Sequence, residues 1–188
     1  ADVGDGIFDS AAFISNFGFS SRQIVFVDFD AAFLEFESLL SDAAGLFLLG
    51  AGFSSAQEAT VIAAVEEIYA DFQVDFVTER PVEGAFSTVH VGGSITDLPG
   101  VLSMADGLLG LAEKIDIGNS DRSDNAFVLS GEIGNDADDL LQIAQAVAHE
   151  AGQLFGLRHV SGPAQLMFPI AGADQTLIGG ATPLAEFD

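Results

Sequence analysis

The stretch that decides the fold reads H-E-A-G-Q-L-F-G-L-R-H and spans residues 149–159. Residues four apart share one face of an α-helix, so His149 and Gln153 are expected to project together. Gly156 allows the chain to turn out of the helix, because glycine tolerates a positive φ angle, and His159 follows three residues later. In the related pattern H-E-x-x-H two imidazoles hold a metal ion and the glutamate is a general base. The stretch therefore predicts a metal centre on His149, Gln153 and His159, with Glu150 as the catalytic base.

Two further features extend this pattern downstream. With Gly156 and His159 in place, the stretch resembles the extended metzincin consensus H-E-x-x-H-x-x-G-x-x-H. Residues 165–169, Q-L-M-F-P, resemble the Met-turn, and Met167 follows His159 by eight residues, a separation similar to that of the matrixin branch. The resemblance covers residues 22–170. It implies a zinc-dependent endopeptidase that hydrolyses peptide bonds, with Met167 as an apolar floor below the zinc.

The chain departs from the consensus at Gln153, where the family has its second histidine. A glutamine amide oxygen is a weaker zinc ligand than an imidazole nitrogen. Two interpretations stay open: a weakened zinc site with impaired peptidase activity, or a residue that makes only hydrogen bonds. The second corresponds to an inactive pseudo-peptidase that binds peptides or proteins, or to a structural extracellular module. A further departure is the tail, residues 170–188, which lacks the periodicity of the closing helix that matrixins usually have.

A second cluster of oxygen-bearing side chains follows on a glycine-containing loop. Its members are Asp116, Asn119, Asp121 and Asp124. Such ligands suit calcium, although their spacing is not that of an EF-hand, and matrixins have calcium sites in comparable loops. The competing interpretation is a solvated turn rich in Asp, Asn and Ser. His90 is expected to be an ordinary strand histidine, so the structural zinc site of matrixins, which needs several histidines, is predicted to be absent.

Composition sets the broad class of the protein. The 188 residues, 49% of them hydrophobic, predict one globular domain. The resemblance implies that it is a metzincin-like domain over 1–188, with residues 1–21 as an N-terminal extension and 170–188 as a short tail. The net charge of −24 argues against nucleic acid and anionic membranes. The metzincin resemblance implies a peptide or protein substrate as the partner. No apolar run is long enough to span a membrane, and no signal peptide is visible. The absence of cysteine excludes disulfides and thiolate chemistry. We expect a secreted, extracellular protein of bacterial type.

The pattern of the remaining chain predicts an α/β (α+β) fold, and the resemblance implies that this fold is of the metzincin kind. Apolar and β-branched runs predict strands at 23–30, 74–78, 86–91, 109–115 and 126–130. A capping-box pattern over residues 55–58 predicts a helix at 56–72. A second helix is expected to begin at Asp136 or Asp138 and to end near Phe155. The expected architecture is a twisted, mostly parallel sheet with two long helices, the second of which carries the metal motif and precedes the Met-turn. Residues 31–53 remain ambiguous.

Overall fold

The computed structural model describes residues 22–30, 32–34, 46–98, 107–160, 165–167, 170–171 and 176–177. The predictions for the N-terminal extension, for residues 168–169 and for most of the tail lie outside these ranges. The elements in chain order are β1 (Gln23–Asp28), β2 (Ala32–Leu34), β3 (Leu46–Leu48), α1 (Ser55–Ile68), β4 (Val74–Val77), β5 (Ser87–Val91), β6 (Gly110–Ala112), β7 (Asn125–Val128), α2 (Ala137–Leu154), β8 (Ile170–Ala171) and β9 (Thr176–Leu177). None of the helices in these ranges is both long and apolar enough to cross a membrane.

Five strands form one sheet in the order β4-β1-β5-β7-β6. Strands β4, β1, β5 and β7 run parallel to one another, whereas β6 pairs antiparallel with β7. The predicted mixed α/β fold, with a mostly parallel sheet and two long helices, is confirmed at this level. Short antiparallel pairs, β2 with β3 and β8 with β9, lie outside the sheet, and the first of them occupies part of the segment left ambiguous by the sequence.

The sheet separates two hydrophobic clusters because successive side chains of a strand point to opposite faces. The first cluster packs between the sheet and the two helices, and it includes Val89 and Val91 of β5. The second cluster contains Leu111 of β6 and Phe127 of β7 together with Leu48 of β3. Burial on both faces is typical of a parallel sheet. It explains why the strands read as nearly continuous apolar runs in the sequence.

Both helices begin at side-chain caps. Helix α1 is capped by Ser54, whose hydroxyl accepts from the Gln57 amide while the Gln57 side chain accepts from the Ser54 amide. The capping box therefore lies one residue earlier than the predicted 55–58, because the residue at the third helical position is Gln57. Helix α1 ends at Ile68, before the predicted residue 72, since the chain turns at Tyr69. Helix α2 is capped by Asp136, one of the two caps that the sequence left open.

Strand β6 is shorter than the predicted 109–115. It ends at Ala112, and the chain then leaves the sheet towards the end of helix α2. There the Asp116 amide donates to the carbonyl oxygen of Gln153 at 3.1 Å. The β-type residues after Ala112 are therefore part of a loop that packs on the helix carrying the metal motif.

Candidate metal centre

Three side-chain nitrogens converge at the C-terminal end of helix α2. The Nε2 atom of Gln153 lies 3.0 Å from Nε2 of His149 and 3.0 Å from Nε2 of His159. The two imidazole Nε2 atoms are 3.1 Å apart. These atoms form a nearly equilateral triangle, so the predicted convergence of His149, Gln153 and His159 is confirmed.

Local backbone geometry produces this convergence. His149 and Gln153 lie one turn apart on helix α2, which ends at Leu154. Gly156 then adopts φ +90°, a conformation that other residues rarely adopt, and the chain turns back so that His159 reaches the same point. A Cβ atom at Gly156 would lie 2.5 Å from the Asp116 carbonyl oxygen. Glycine is thus required at this position both for its φ angle and for the close approach of the loop.

The His149 ring is oriented by the segment that resembles the Met-turn. Its Nδ1 atom lies 2.9 Å from the Leu166 carbonyl oxygen. A carbonyl can only accept, so Nδ1 carries the proton and Nε2 of the neutral ring carries the lone pair. Met167 is buried, its carbonyl accepts from the Val160 amide at 3.0 Å, and its Sδ atom approaches Gly152 of the helix. The segment thus packs against both the helix and the chain that follows His159.

Burial keeps both imidazoles neutral. Desolvation lowers the pKa of His149 to about 4, although its bond to the Leu166 carbonyl acts in the opposite direction. Desolvation also lowers the pKa of His159. A metal ion binds the unprotonated nitrogen of histidine, so both rings are in the required form at neutral pH.

Glu150, the residue after His149 on the helix, is completely buried. Neither carboxyl oxygen makes a hydrogen bond within the described part of the chain. Burial raises the pKa of Glu150 well above its usual range, and the nearby Ala112 amide offsets only part of this effect. The carboxyl lies against strand β6, where a Cβ atom at Gly110 would be 2.7 Å from Oε1. The acid therefore sits between helix α2 and the antiparallel strand of the sheet.

The triangle has dimensions suited to a small transition-metal ion. Tetrahedral zinc with ligand bonds of about 2.0–2.1 Å separates its ligand atoms by about 3.3–3.4 Å. The observed separation of 3.1 Å between the two imidazole Nε2 atoms is close to this value. Within the described ranges no group of three or more His, Cys, Asp or Glu side chains could hold a metal ion. The triangle is not such a group, because its third member is the amide of Gln153. The two imidazole Nε2 atoms therefore have the spacing of zinc ligands, whereas the amide nitrogen at the third corner cannot bind a metal, and only Oε1 of Gln153 could be a weak third ligand.

The predicted calcium ligands take part in several contacts within and beyond their loop. Asp121 pairs with Lys114 at 2.6 Å, and Asp116 accepts from the Ser120 hydroxyl and the Asp121 amide. The Lys114 contact lowers the pKa of Asp121. Asn119 adopts φ +48° and is buried, with no bond to its Oδ1 atom among the described residues. Calcium binding by this loop stays a prediction.

Asp124 instead belongs to a buried chain of polar groups at the start of the parallel strands. Gln23 donates to the Ser87 hydroxyl at 3.1 Å, and Ser87 donates to Asp124 at 2.7 Å. The second carboxyl oxygen of Asp124 has no partner within the described ranges. Burial raises the pKa of Asp124 to about 7, an effect to which the neighbouring Asp116 and Asp121 contribute.

His90 lies on strand β5, as expected of a strand histidine. It is buried, and its Nδ1 atom is 3.1 Å from Oδ2 of Asp28 on strand β1. Burial opposes ionisation of Asp28, but His90 and the Asp30 amide outweigh it, so the pKa of Asp28 is lowered. The pair joins the neighbouring strands β1 and β5.

Sequence reasoning missed three residues that shape the site. Tyr69 donates from its buried hydroxyl to the Ala148 carbonyl at 2.8 Å, which anchors the helix just before the first candidate ligand. Gly110 makes room for the Glu150 carboxyl, and Gly152 makes room for Met167. A glycine inside an apolar strand or helix is the signal that could have identified the last two, since it often marks close packing.

Comparisons of the chain with protein-family models, with curated proteins and with solved structures give no match.

Proposed function

We propose that this chain is a zinc-dependent endopeptidase of the metzincin type, with a metal site weakened by Gln153. The observation that carries the proposal is the convergence of His149, Gln153 and His159 within 3.0–3.1 Å of one another, with a buried acid on the adjacent residue. Two neutral imidazoles, an amide and a general base are the parts needed to hold a metal ion and to activate water. Calcium is proposed as a second ion, at the loop of residues 116–124.

Glu150 has the role of general base in this proposal. Zinc, when bound, polarises a peptide carbonyl and lowers the pKa of a coordinated water. Glu150 would take a proton from the attacking water and pass it to the leaving amine. Because its carboxyl is completely buried, its ionisation responds strongly to any positive charge nearby. The Leu166 carbonyl holds the His149 ring in the tautomer that presents Nε2.

Strand β6 is the proposed binding edge for the substrate. It ends the sheet, and within the described ranges β7 is the strand that pairs with it. An extended peptide can add to such an edge through backbone hydrogen bonds. Gly110 of this strand lies directly against the Glu150 carboxyl, so a peptide bound here would have its backbone near the general base.

The second candidate is a pseudo-peptidase that binds a peptide or protein without cleaving it. The observation that favours it is the Gln153 amide, which lies within hydrogen-bond distance of both imidazole Nε2 atoms. Such an arrangement satisfies the two histidines without a metal. The two candidates share the binding edge and differ in whether the chemistry is retained.

A cleavage assay on an unfolded, fluorescently labelled protein substrate tests the proposal. Activity should disappear on chelation, return on addition of zinc, and fall by about 100-fold or more in Glu150→Gln, because the general base is lost. Glu66→Gln, an exposed change on helix α1, is the matched control and should leave activity unchanged. Cleavage that survives chelation or Glu150→Gln would contradict the proposal. No cleavage by either the zinc-loaded chain or Gln153→His would favour the pseudo-peptidase.

A further inference from the structure

We infer that in the metal-free protein the Gln153 side-chain amide bridges the two imidazoles by donating one hydrogen to each Nε2 atom, and that a metal ion must displace this bridge to enter. The inference rests on the proposed function only in naming what enters the site. The bridge itself is a property of the metal-free chain, and it can be tested without any activity.

The first half of the bridge follows from the tautomer of His149. Its Nδ1 atom faces the Leu166 carbonyl at 2.9 Å and must be the donor there. A neutral imidazole has one donor and one acceptor, so Nε2 of His149 accepts. The group 3.0 Å from it must then be a donor, and the amide nitrogen of Gln153 is one. The opposite orientation of the amide would place its oxygen against another acceptor.

The second half of the bridge uses the other amide hydrogen. Nε2 of His159 also lies 3.0 Å from the Gln153 nitrogen, so it accepts if its Nδ1 atom carries the ring proton. That Nδ1 atom is buried and makes no hydrogen bond to any described residue. In this tautomer the two imidazole lone pairs face each other at 3.1 Å, and the amide hydrogens relieve their repulsion.

The geometry of the bridge makes it displaceable. In a nearly equilateral triangle the two imidazole nitrogens subtend about 60° at the amide nitrogen, whereas its two N–H bonds diverge by about 120°. Each N–H bond therefore points about 30° away from its acceptor, and the hydrogen bond is weaker than a linear one. Metal binding requires the amide to rotate so that Oε1 replaces Nε2, with loss of both bonds. A histidine at position 153 could not form the same bridge, because a neutral imidazole has a single N–H group.

Nuclear magnetic resonance of the metal-free full chain, held in chelator, tests the bridge. The side-chain NH₂ group of Gln153 is assigned by its absence from Gln153→Leu. Its hydrogens should exchange with water at least about 10-fold more slowly than those of Gln145, which is exposed on the same helix. Long-range ¹H–¹⁵N spectra should show the Nδ1–H tautomer at both His149 and His159. Stoichiometric zinc should then shift the NH₂ signals and remove their protection.

The outcomes separate the bridge from the proposed function. Exchange of the Gln153 amide as fast as that of Gln145, or an Nε2–H tautomer at either histidine, would overturn the bridge even if the protein binds zinc and cleaves peptides. A protected amide in a chain that binds no zinc would support the bridge and count against the peptidase. Gln153→Glu, which has no N–H group, should lower the melting temperature of the metal-free protein, whereas Gln145→Glu should not. Equal effects of the two changes would contradict the bridge.

Discussion

The backbone amide of Asp116 donates a 3.1 Å hydrogen bond to the carbonyl oxygen of Gln153. This bond joins the loop after strand β6 to the last turn of the helix that carries the candidate ligands. The same loop presents the Asp116 carbonyl to Gly156, the residue at which the chain turns towards His159. The position of the candidate ligands therefore depends on this loop as well as on the helix.

Replacement of Gly156 by alanine is expected to destabilise the protein by about 2 kcal/mol or more, because the new Cβ atom would combine a strained φ angle with a clash. That Cβ atom would lie 2.5 Å from the Asp116 carbonyl oxygen. Gly84→Ala is the matched control, since Gly84 has φ +89° but nothing within 4 Å of the added atom. It should cost about 1 kcal/mol. Chemical denaturation measures both, and equal losses would show that the contact between loop and turn does not constrain Gly156.

The buried carboxyl group of Glu150 is expected to reduce the stability of the folded protein at neutral pH. The folded state raises the pKa of Glu150 well above its usual range, so its contribution is fully present below the pKa of the unfolded chain and is lost as pH rises through the folded pKa. Glu150→Gln should therefore be more stable than the original chain at pH 7 in chelator, by about 1 kcal/mol or more. The difference should shrink as the pH falls to 4. A constant difference between pH 4 and pH 8 would contradict the prediction.

Calcium should raise the thermal stability of the chelated protein, because a ligand that binds the native state must stabilise it. The expected ligands are Asp116, Asn119, Asp121 and Asp124. Differential scanning calorimetry after chelation, with and without millimolar calcium, measures the shift, and a matched concentration of sodium chloride controls for screening of the net charge. An unchanged melting temperature would exclude this loop as a calcium site.

Asp124→Asn should make the protein more stable in the absence of calcium and less stable in its presence. Burial raises the pKa of Asp124 to about 7, so its contribution to stability is present at low pH and is lost as pH rises through about 7. Without calcium, the variant should therefore be more stable than the original chain at pH 8, with a smaller difference at pH 5. With calcium, the variant should lose the stabilisation that the ion provides. Melting curves at the two pH values, with and without calcium, decide both points, and equal calcium responses would contradict the assignment.

The sequence predicted those features that depend on residues close together along the chain. The i, i+4 spacing of His149 and Gln153 and the turn at Gly156 are local, and both have the expected geometry. The start of helix α2 at Asp136 is also local, because a cap acts on the next three residues. The predicted strand 109–115 is too long, because strand β6 ends at Ala112 and the following loop contacts helix α2.

Contacts between distant segments could not be predicted in this way. The hydrogen bond from Tyr69 to Ala148 joins residues 79 positions apart. The space that Gly110 leaves for the Glu150 side chain depends on how the sheet packs on the helix. The partners of Asp124 likewise come from other strands, so its spacing from Asp116 and Asp121 alone could not show that it would bond to Ser87. Each of these contacts is set by tertiary packing, which a single sequence pattern does not encode.

The most direct measurement is a zinc titration of the metal-free protein and of Gln153→His, followed side by side by calorimetry. A third imidazole replaces a neutral amide and removes the bridge, so the variant should bind zinc at least about 100-fold more tightly, since even groups that only support a metal ligand are worth about 10–100-fold. Peptide cleavage should rise with it, because the other parts of the site are unchanged. Equal affinity of the two proteins would show that glutamine is a fully competent ligand and would contradict the proposal of a weakened site. Failure of the variant to bind zinc would contradict the metal centre itself.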